Sequence, residues 1–489
     1  MVKFRDITDA SRIAAGGLKD FATGLVNPTL RLGVTGLSRA GKTVFITALV
    51  HALTRGARLP LFEAKTRITK AYLEPQPDDD LPRFSYEEHL AKLTSENREW
   101  PESTKRISQL RLTLEYEPPG IFARNFQSGK LHIDIVDYPG EWLLDLPLMH
   151  MTYRQWAAET IATSQNEPRL GLATAWHVHL ASLDASAASD ELKAVKTAEL
   201  FTAYLADCRK DDASLSSLPP GRFLMPGDLA GSPLLTFAPL NLSPDQAYPK
   251  GTMGELMERR YNSYVTKVVR PFFFGHFARL DRQIVLVDTL SSLNAGPAAV
   301  QDLKNALTQI MSCFRMGSNS VFSELFGRKI DRILFAATKA DLLHQNSHDK
   351  LENILRMIVD DACARAEFTG AKIEVAALAA IRATREAKVN QKGEDLPCIA
   401  GIPQKGEAIG KISFDGEREA AIFPGDLPST AQQALDGTLQ GQLKFLRFRS
   451  PAMKDGVFPH IRLDRTINFL LGTVFHDGEL PQANRLRHR

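Results

Sequence analysis

Gly36-Leu37-Ser38-Arg39-Ala40-Gly41-Lys42-Thr43 is the stretch whose reading decides the fold. It satisfies G-x-x-x-x-G-K-[ST] and stands between the alternating run Leu30-Arg31-Leu32-Gly33-Val34-Thr35 and the helical run Val44-Phe45-Ile46-Thr47-Ala48-Leu49. That strand, loop, helix setting is what gives the pattern its meaning. The glycines let backbone N–H groups converge on phosphate oxygens, and the start of the helix adds the positive end of a dipole. Lys42 neutralises charge on the β- and γ-phosphates, in the ground state and during transfer, and the Thr43 hydroxyl ligates Mg²⁺. The expected contact set is Ser38, Arg39, Ala40, Gly41, Lys42, Thr43 and Val44. Arg39 is either a charge-stabilising arginine inside the loop or a solvent-facing residue at a variable position.

Two further elements follow in order. Leu131-His132-Ile133-Asp134-Ile135-Val136 predicts a strand closed by Asp137-Tyr138-Pro139-Gly140, which matches D-x-x-G. Such a carboxylate holds Mg²⁺ through water, and such a glycine presents its N–H to the γ-phosphate. Asp-x-Pro-Gly is also ordinary turn chemistry, and Ile284-Val285-Leu286-Val287-Asp288 is a second apolar strand ending in aspartate; Asp137 is preferred because Gly140 follows it. Thr338-Lys339-Ala340-Asp341 then follows the strand Ile333–Ala337 and matches [NT]-K-x-D. A carboxylate at Asp341 accepts from guanine N1–H and the exocyclic amine, whereas adenine would leave that desolvated charge unpaired. Lys339 lays its aliphatic stem along the base. The plain alternative is a helix start with Asp341 as its cap.

Two assignments rest on order in the chain. Ala376-Ala377-Leu378, after the next strand, is the expected loop whose N–H meets the guanine oxygen. Thr104, in Trp100-Pro101-Glu102-Ser103-Thr104, is the candidate threonine that joins Mg²⁺ when a γ-phosphate is present, with Ser103 and Thr94 as alternatives.

Composition bounds the rest. A chain of 489 residues exceeds the size at which one core stops growing, so more than one compact unit is expected. Hydrophobic residues at 44% and charged residues at 24% are ordinary for a globular protein. A net charge of +3 argues against nucleic acid as a partner. Cys208, Cys313, Cys363 and Cys398 form no metal-ligand spacing, and a reducing, cytoplasmic compartment is expected. The N-terminal residues lack the apolar core of a signal peptide, and no run is long enough to span a bilayer. A weak amphipathic pattern from Ile7 to Leu25 leaves a peripheral membrane contact open, beside the simpler reading of a docked helix.

The pattern divides the chain into an N-terminal helical segment (1–29), the first part of an α/β domain (30–145) with an insertion at about 55–100, and a helical insertion (146–280). The second part of the α/β domain (281–390), a β-rich insertion (391–463) and a C-terminal helix with a basic tail (464–489) complete it. Pro75, Pro77 and Pro82 around Asp78-Asp79-Asp80 mark the first insertion as polar and irregular. Asp464 is the expected cap of the last helix.

The order of these motifs resembles Ras-like GTPases, and GLSRAGKT, DYPGEWLLDLP and TKAD together resemble the YcjX-like family of bacterial stress-associated proteins over nearly the whole chain. The resemblance implies a P-loop NTPase fold: a Ras-like G domain with a large helical insertion and a small β-rich C-terminal insertion. It implies GTP or GDP with Mg²⁺ at the positions named, with Thr43, Thr104 and Asp137 at the metal and Lys42, Thr104, Gly140 and Glu141 at the hydrolytic centre. It also implies a stress link through a membrane-protein partner, at the cytoplasmic face of the inner membrane. One departure stands out. Ras-like proteins commonly place a water-orienting glutamine after the D-x-x-G glycine, and here that residue is Glu141. Its charge beside the γ-phosphate is unfavourable unless protonated or paired, so slow hydrolysis is expected. A GTP-binding scaffold that does not hydrolyse and a P-loop ATP-binding protein are the competing readings.

Overall fold

The computed structural model describes residues 28–37, 39–102, 106–117, 129–210, 213–243, 246–313, 330–368, 370–391, 394–437 and 439–476. Ser38, Ser103, Thr104, the segment from Ile7 to Leu25 and the basic tail lie outside them.

Among the described residues, β1 (Thr29–Gly36), β2 (Ile68–Glu74), β3 (Ser108–Tyr116), β4 (Lys130–Asp137), β5 (Arg282–Val287), β6 (Arg332–Ala337) and β7 (Lys372–Ala377) form one sheet in the order β2-β3-β4-β1-β5-β6-β7. From β4 to β7 neighbours are parallel, while β3 and β2 extend the sheet antiparallel. The helices that matter for the site are α1 (Lys42–Thr54), α2 (Tyr86–Thr94), α3 (Tyr153–Ser164), α4 (Glu191–Cys208), α5 (Met253–Tyr264), α6 (Thr289–Ala295), α7 (Pro297–Ser312), α8 (His348–Ile358), α9 (Asp360–Phe368) and α10 (Leu463–His476).

The apolar runs of β5 and β6 are buried along their whole length, so the pleat divides their side chains between two cores rather than between core and water. Val285, Val287, Ile333, Phe335 and Ala337 join α7 and α8 on one face. Ile284, Leu286, Leu334 and Ala336 join α1 and α10 on the other.

The helical insertion starts its helices with side-chain caps. Thr152 and Gln155 form a capping box at α3, the Asp190 carboxylate accepts from Leu192 and Lys193 N–H at α4, and Thr252 caps α5. Its aromatic core, with Trp156, Trp176, Phe201, Phe237, Tyr261 and Tyr264, is continuous with the α7 face of the sheet. The insertion and the sheet therefore share one hydrophobic core.

Several sequence expectations are revised. Within the polar 55–100 stretch, where only short helical patches such as Tyr86–Thr94 are expected, Ile68–Glu74 is the edge strand of the central sheet; an edge strand with half-exposed faces carries only weak alternation. Between β6 and β7 the helical run is interrupted at Val359, which separates α8 from α9. The β-rich hairpin opens at Arg385, with strands Arg385–Gln391 and Glu394–Gly401. Asp464 lies inside the first turn of α10 rather than before it, where its carboxylate accepts from Arg465 N–H at 2.9 Å and from Leu61 N–H at 3.2 Å.

Trp156 is 1% exposed, stacks on Tyr261 with ring centroids 5.2 Å apart, and meets Phe201 and Phe237 edge-on. Trp156→Ala is expected to cost roughly 3–5 kcal/mol, read as a lower urea midpoint by far-UV circular dichroism. An unchanged midpoint would remove Trp156 from the supporting core.

Candidate functional site

β1 ends between β4 and β5, with Val34 in register with Asp137 and Gly36 with Leu286. Successive strands diverge here to either side of β1, the position at which open α/β sheets bind ligands beyond the strand C-termini. Arg39 and Gly41 have φ of 61° and 84°, the left-handed geometry that turns backbone N–H groups into a concave nest. No side chain caps α1 at Gly41, which leaves the donors of the first turn facing the loop. Lys42, nearly buried, donates from Nζ to Gly36 O at 3.0 Å. Arg39 is exposed at the rim.

The Thr43 hydroxyl donates to Glu102 O at 3.3 Å, which brings the segment leading to residues 103–105 against the loop. Thr94 is elsewhere: its hydroxyl bonds back to Leu90 O within α2. Asp137, 1% exposed, closes β4 beside β1. Thr43 and Asp137 offer hydroxyl and carboxylate oxygens, the hard donor types that suit Mg²⁺. Among the described residues there is no group of three or more His, Cys, Asp or Glu that would hold a metal without help from a ligand.

Gly140 meets the loop at the closest approach. A Cβ on Gly140 would lie 1.8 Å from Gly36 O, and one on Gly36 would lie 2.6 Å from Leu286 O. Beyond it, Gly140–His150 forms a 3₁₀ segment packed into the helical insertion. The Trp142 indole N–H donates to Met225 O at 2.9 Å, and the Arg222 guanidinium lies 3.1 Å above the Trp142 ring. Buried Asp145 accepts from Gly221 N–H at 2.7 Å and from Tyr264 OH at 2.6 Å. Glu141 is nearly buried, and Arg209 at the end of α4 approaches its carboxylate at 3.4 Å.

At the ends of β5 and β6, Asp288 and the T-K-A-D segment meet. Asp288 caps α6 through Ser291 and accepts from Lys339 Nζ at 2.5 Å, so this second strand-terminal aspartate orients Lys339. Lys339 is itself left-handed, with φ 60°. Asp341 is buried and accepts from Ala383 N–H at 2.8 Å. Burial pushes its carboxyl up to about 6.

Ala376 and Ala377 are strand residues of β7, and Leu378 N–H donates to Ala337 O at 2.8 Å. Leu378, just past the strand, accepts from Ala340 N–H at 3.2 Å, so the expected loop stands against the T-K-A-D segment, while Asp341 itself also meets Ala383 and Thr384 further along. Order in the chain carries no sign of Ala383 and Thr384, whose contacts with Asp341 are made by the fold. Sequence reasoning also missed Arg209 and Gly221, which carry no local pattern. A larger cleft of about 470 Å³ lies away from the loop, between the 3₁₀ segment, α3 and α7. Its buried Arg169 is held by Asp302 at 2.6 Å.

A P-loop after β1, D-x-x-G after β4 and T-K-x-D after β6, on this sheet order, define a Ras-like P-loop protein of the α/β class, with a large helical insertion and a small β-rich one. The chain belongs to the YcjX-like family, DUF463, whose profile matches residues 30–475. It is similar to the Ras-like GTPase YcjX of Escherichia coli (strain K12), at 38% identity over 464 residues, covering 91% of this chain and 96% of that one. It is also similar to the Ras-like GTPase YcjX of Shewanella oneidensis (strain MR-1), at 36% over 472 residues, covering 91% and 94%. No helix among the described residues is long and apolar enough to cross a membrane.

The raised Asp341 value makes a stability prediction. A carboxyl held up by burial contributes stability that is full below its unfolded value of 3.8 and lost as pH rises through about 6. Asp341→Asn keeps the acceptor for Ala383 N–H and removes the buried charge. The ligand-free variant is expected to be more stable than the unsubstituted chain near neutral pH, by roughly 3 kcal/mol for a shift of about two units. The difference should close toward about pH 4 in paired urea titrations. A constant difference across that window would mean that Asp341 does not titrate as a buried acid.

Proposed function

We propose that this protein binds GTP and Mg²⁺ at the C-terminal ends of β1, β4 and β6, hydrolyses GTP slowly to GDP and phosphate, and acts as a nucleotide-dependent switch. The observation that carries the reading is the convergence, on one sheet end, of a left-handed N–H nest with Lys42, a strand-terminal Asp137 and a buried Asp341. The relatives' name, Ras-like GTPase, agrees with it.

In this reading Ser38, Arg39, Ala40, Gly41, Lys42, Thr43 and Val44 cradle the phosphates. Thr43, Asp137 and Thr104 hold Mg²⁺, which when bound neutralises charge on the β- and γ-oxygens. The Thr43–Glu102 contact supports Thr104, two residues further on. Gly140 presents its N–H to the γ-phosphate, and Glu141 accepts a hydrogen bond from the attacking water. Asp341 accepts from the guanine edge, and Lys339, oriented by Asp288, lies along the base. Departure of the γ-phosphate loosens the hold on Gly140, and its 3₁₀ segment passes that change to the helical insertion. A cytoplasmic role in stress, with a membrane-protein partner, is the cellular part of the proposal and rests on the family resemblance.

The test is displacement of fluorescent GDP by GTP and ATP, with and without Mg²⁺. GTP is expected to compete at least about 100-fold better than ATP, because adenine leaves Asp341 without its donors. Asp341→Asn should erase most of that preference, while Lys42→Ala weakens both nucleotides. Equal competition by ATP, indifferent to Asp341, would leave a P-loop ATP-binding protein instead.

A further inference from the structure

A glutamate beside a γ-phosphate needs a compensating charge, and the helical insertion supplies one. Arg209 Nη1 lies 3.4 Å from Glu141 Oε1, with the Glu141 side chain 9% exposed and that of Arg209 29%. A pair open to water on one side adds little to stability. Its consequence is for charge at the mouth of the P-loop. The insertion also fixes the backbone of Glu141, because a Cβ on Gly221 would lie 1.8 Å from Glu141 O. Gly221 is itself tied to Asp145, four residues beyond Glu141 in the chain. Glu141 and Arg209 line a cavity of about 60 Å³ together with Leu37 and Arg39 of the P-loop, space for a few water molecules.

We propose that Arg209 is a positioning residue for GTP hydrolysis: it neutralises and orients Glu141, so that the carboxylate accepts a hydrogen bond from the attacking water. The helical insertion then supplies part of the hydrolytic site within the same chain. The proposal rests on the GTPase reading above. In the step itself the water oxygen bonds to the γ-phosphorus as the bond to the β,γ-bridging oxygen breaks. The electron pair leaves with GDP, one water proton stays on the phosphate and the other passes to solvent. Glu141 and Arg209 are unchanged at the end.

A double-mutant cycle tests this, using phosphate release under single and multiple turnover together with fluorescent GDP binding. Arg209→Ala is expected to lower the hydrolysis rate about 100-fold while GDP affinity stays within about threefold. Arg209→Lys, which keeps the charge, should recover part of the rate. In a Glu141→Gln background there is no charge to compensate, and Arg209→Ala should change the rate by no more than about threefold. An equal loss in both backgrounds would overturn the proposal, since Arg209 would then act without Glu141. No loss in either, or a joint loss of GDP binding and turnover that lysine does not recover, would also overturn it. An unsubstituted chain that prefers guanine yet releases no phosphate would remove this proposal and leave guanine binding standing. Loss of guanine preference itself would instead remove the reading on which it rests.

Discussion

The approach of Gly140 to Gly36 is the contact around which the site is arranged. The loop after β4 lies on the first carbonyl of the P-loop so closely that Gly140 has no room for a Cβ, and Gly36 is itself hemmed in by Leu286 of β5. The next residue repeats the device in the other direction, with the backbone of Glu141 against Gly221. Three chain segments from distant parts of the sequence are thereby stacked backbone on backbone. Such contacts do not deform gradually, because close-packed backbone has no slack to absorb a displacement. A change at the P-loop has a short, stiff route into the helical insertion.

Polar anchoring reinforces that stack. Asp145 joins the 3₁₀ segment to Gly221 and Tyr264, and Arg222 covers Trp142. On the far side of β1, Asp288 and Lys339 join the ends of β5 and β6, so the loops after three strands are each held by a residue from a neighbouring element. The shared core beneath them, with alternate residues of β5 and β6 assigned to opposite faces, keeps the strand ends in register.

Much of this was legible from local pattern. β1, the P-loop and α1 announce themselves because strand alternation, glycine spacing and helical periodicity meet within a short stretch. The strand Leu131–Val136 is read equally well from its alternation, and the apolar runs of β5 and β6 because burial on both faces demands continuous apolar sequence. β2 was hidden because an edge strand with water on one side tolerates Thr69, Lys70 and Tyr72. On the base side, Ala383 and Thr384 carry no local sign of their contacts with Asp341.

By itself the sequence determined which chemical groups are present and, for the P-loop, D-x-x-G and T-K-x-D motifs, the strand that each one follows, because those features depend on neighbours within a turn or a pleat. The tertiary structure alone decided their partners. Glu141 and Arg209 are 68 positions apart, and Lys339 and Asp288 are 51 apart. Nothing local couples either pair. They meet because burial of the aromatic and aliphatic cores brings their segments together, and each partly buried carboxylate at the edge of those cores is paired by the cation that the fold has placed there.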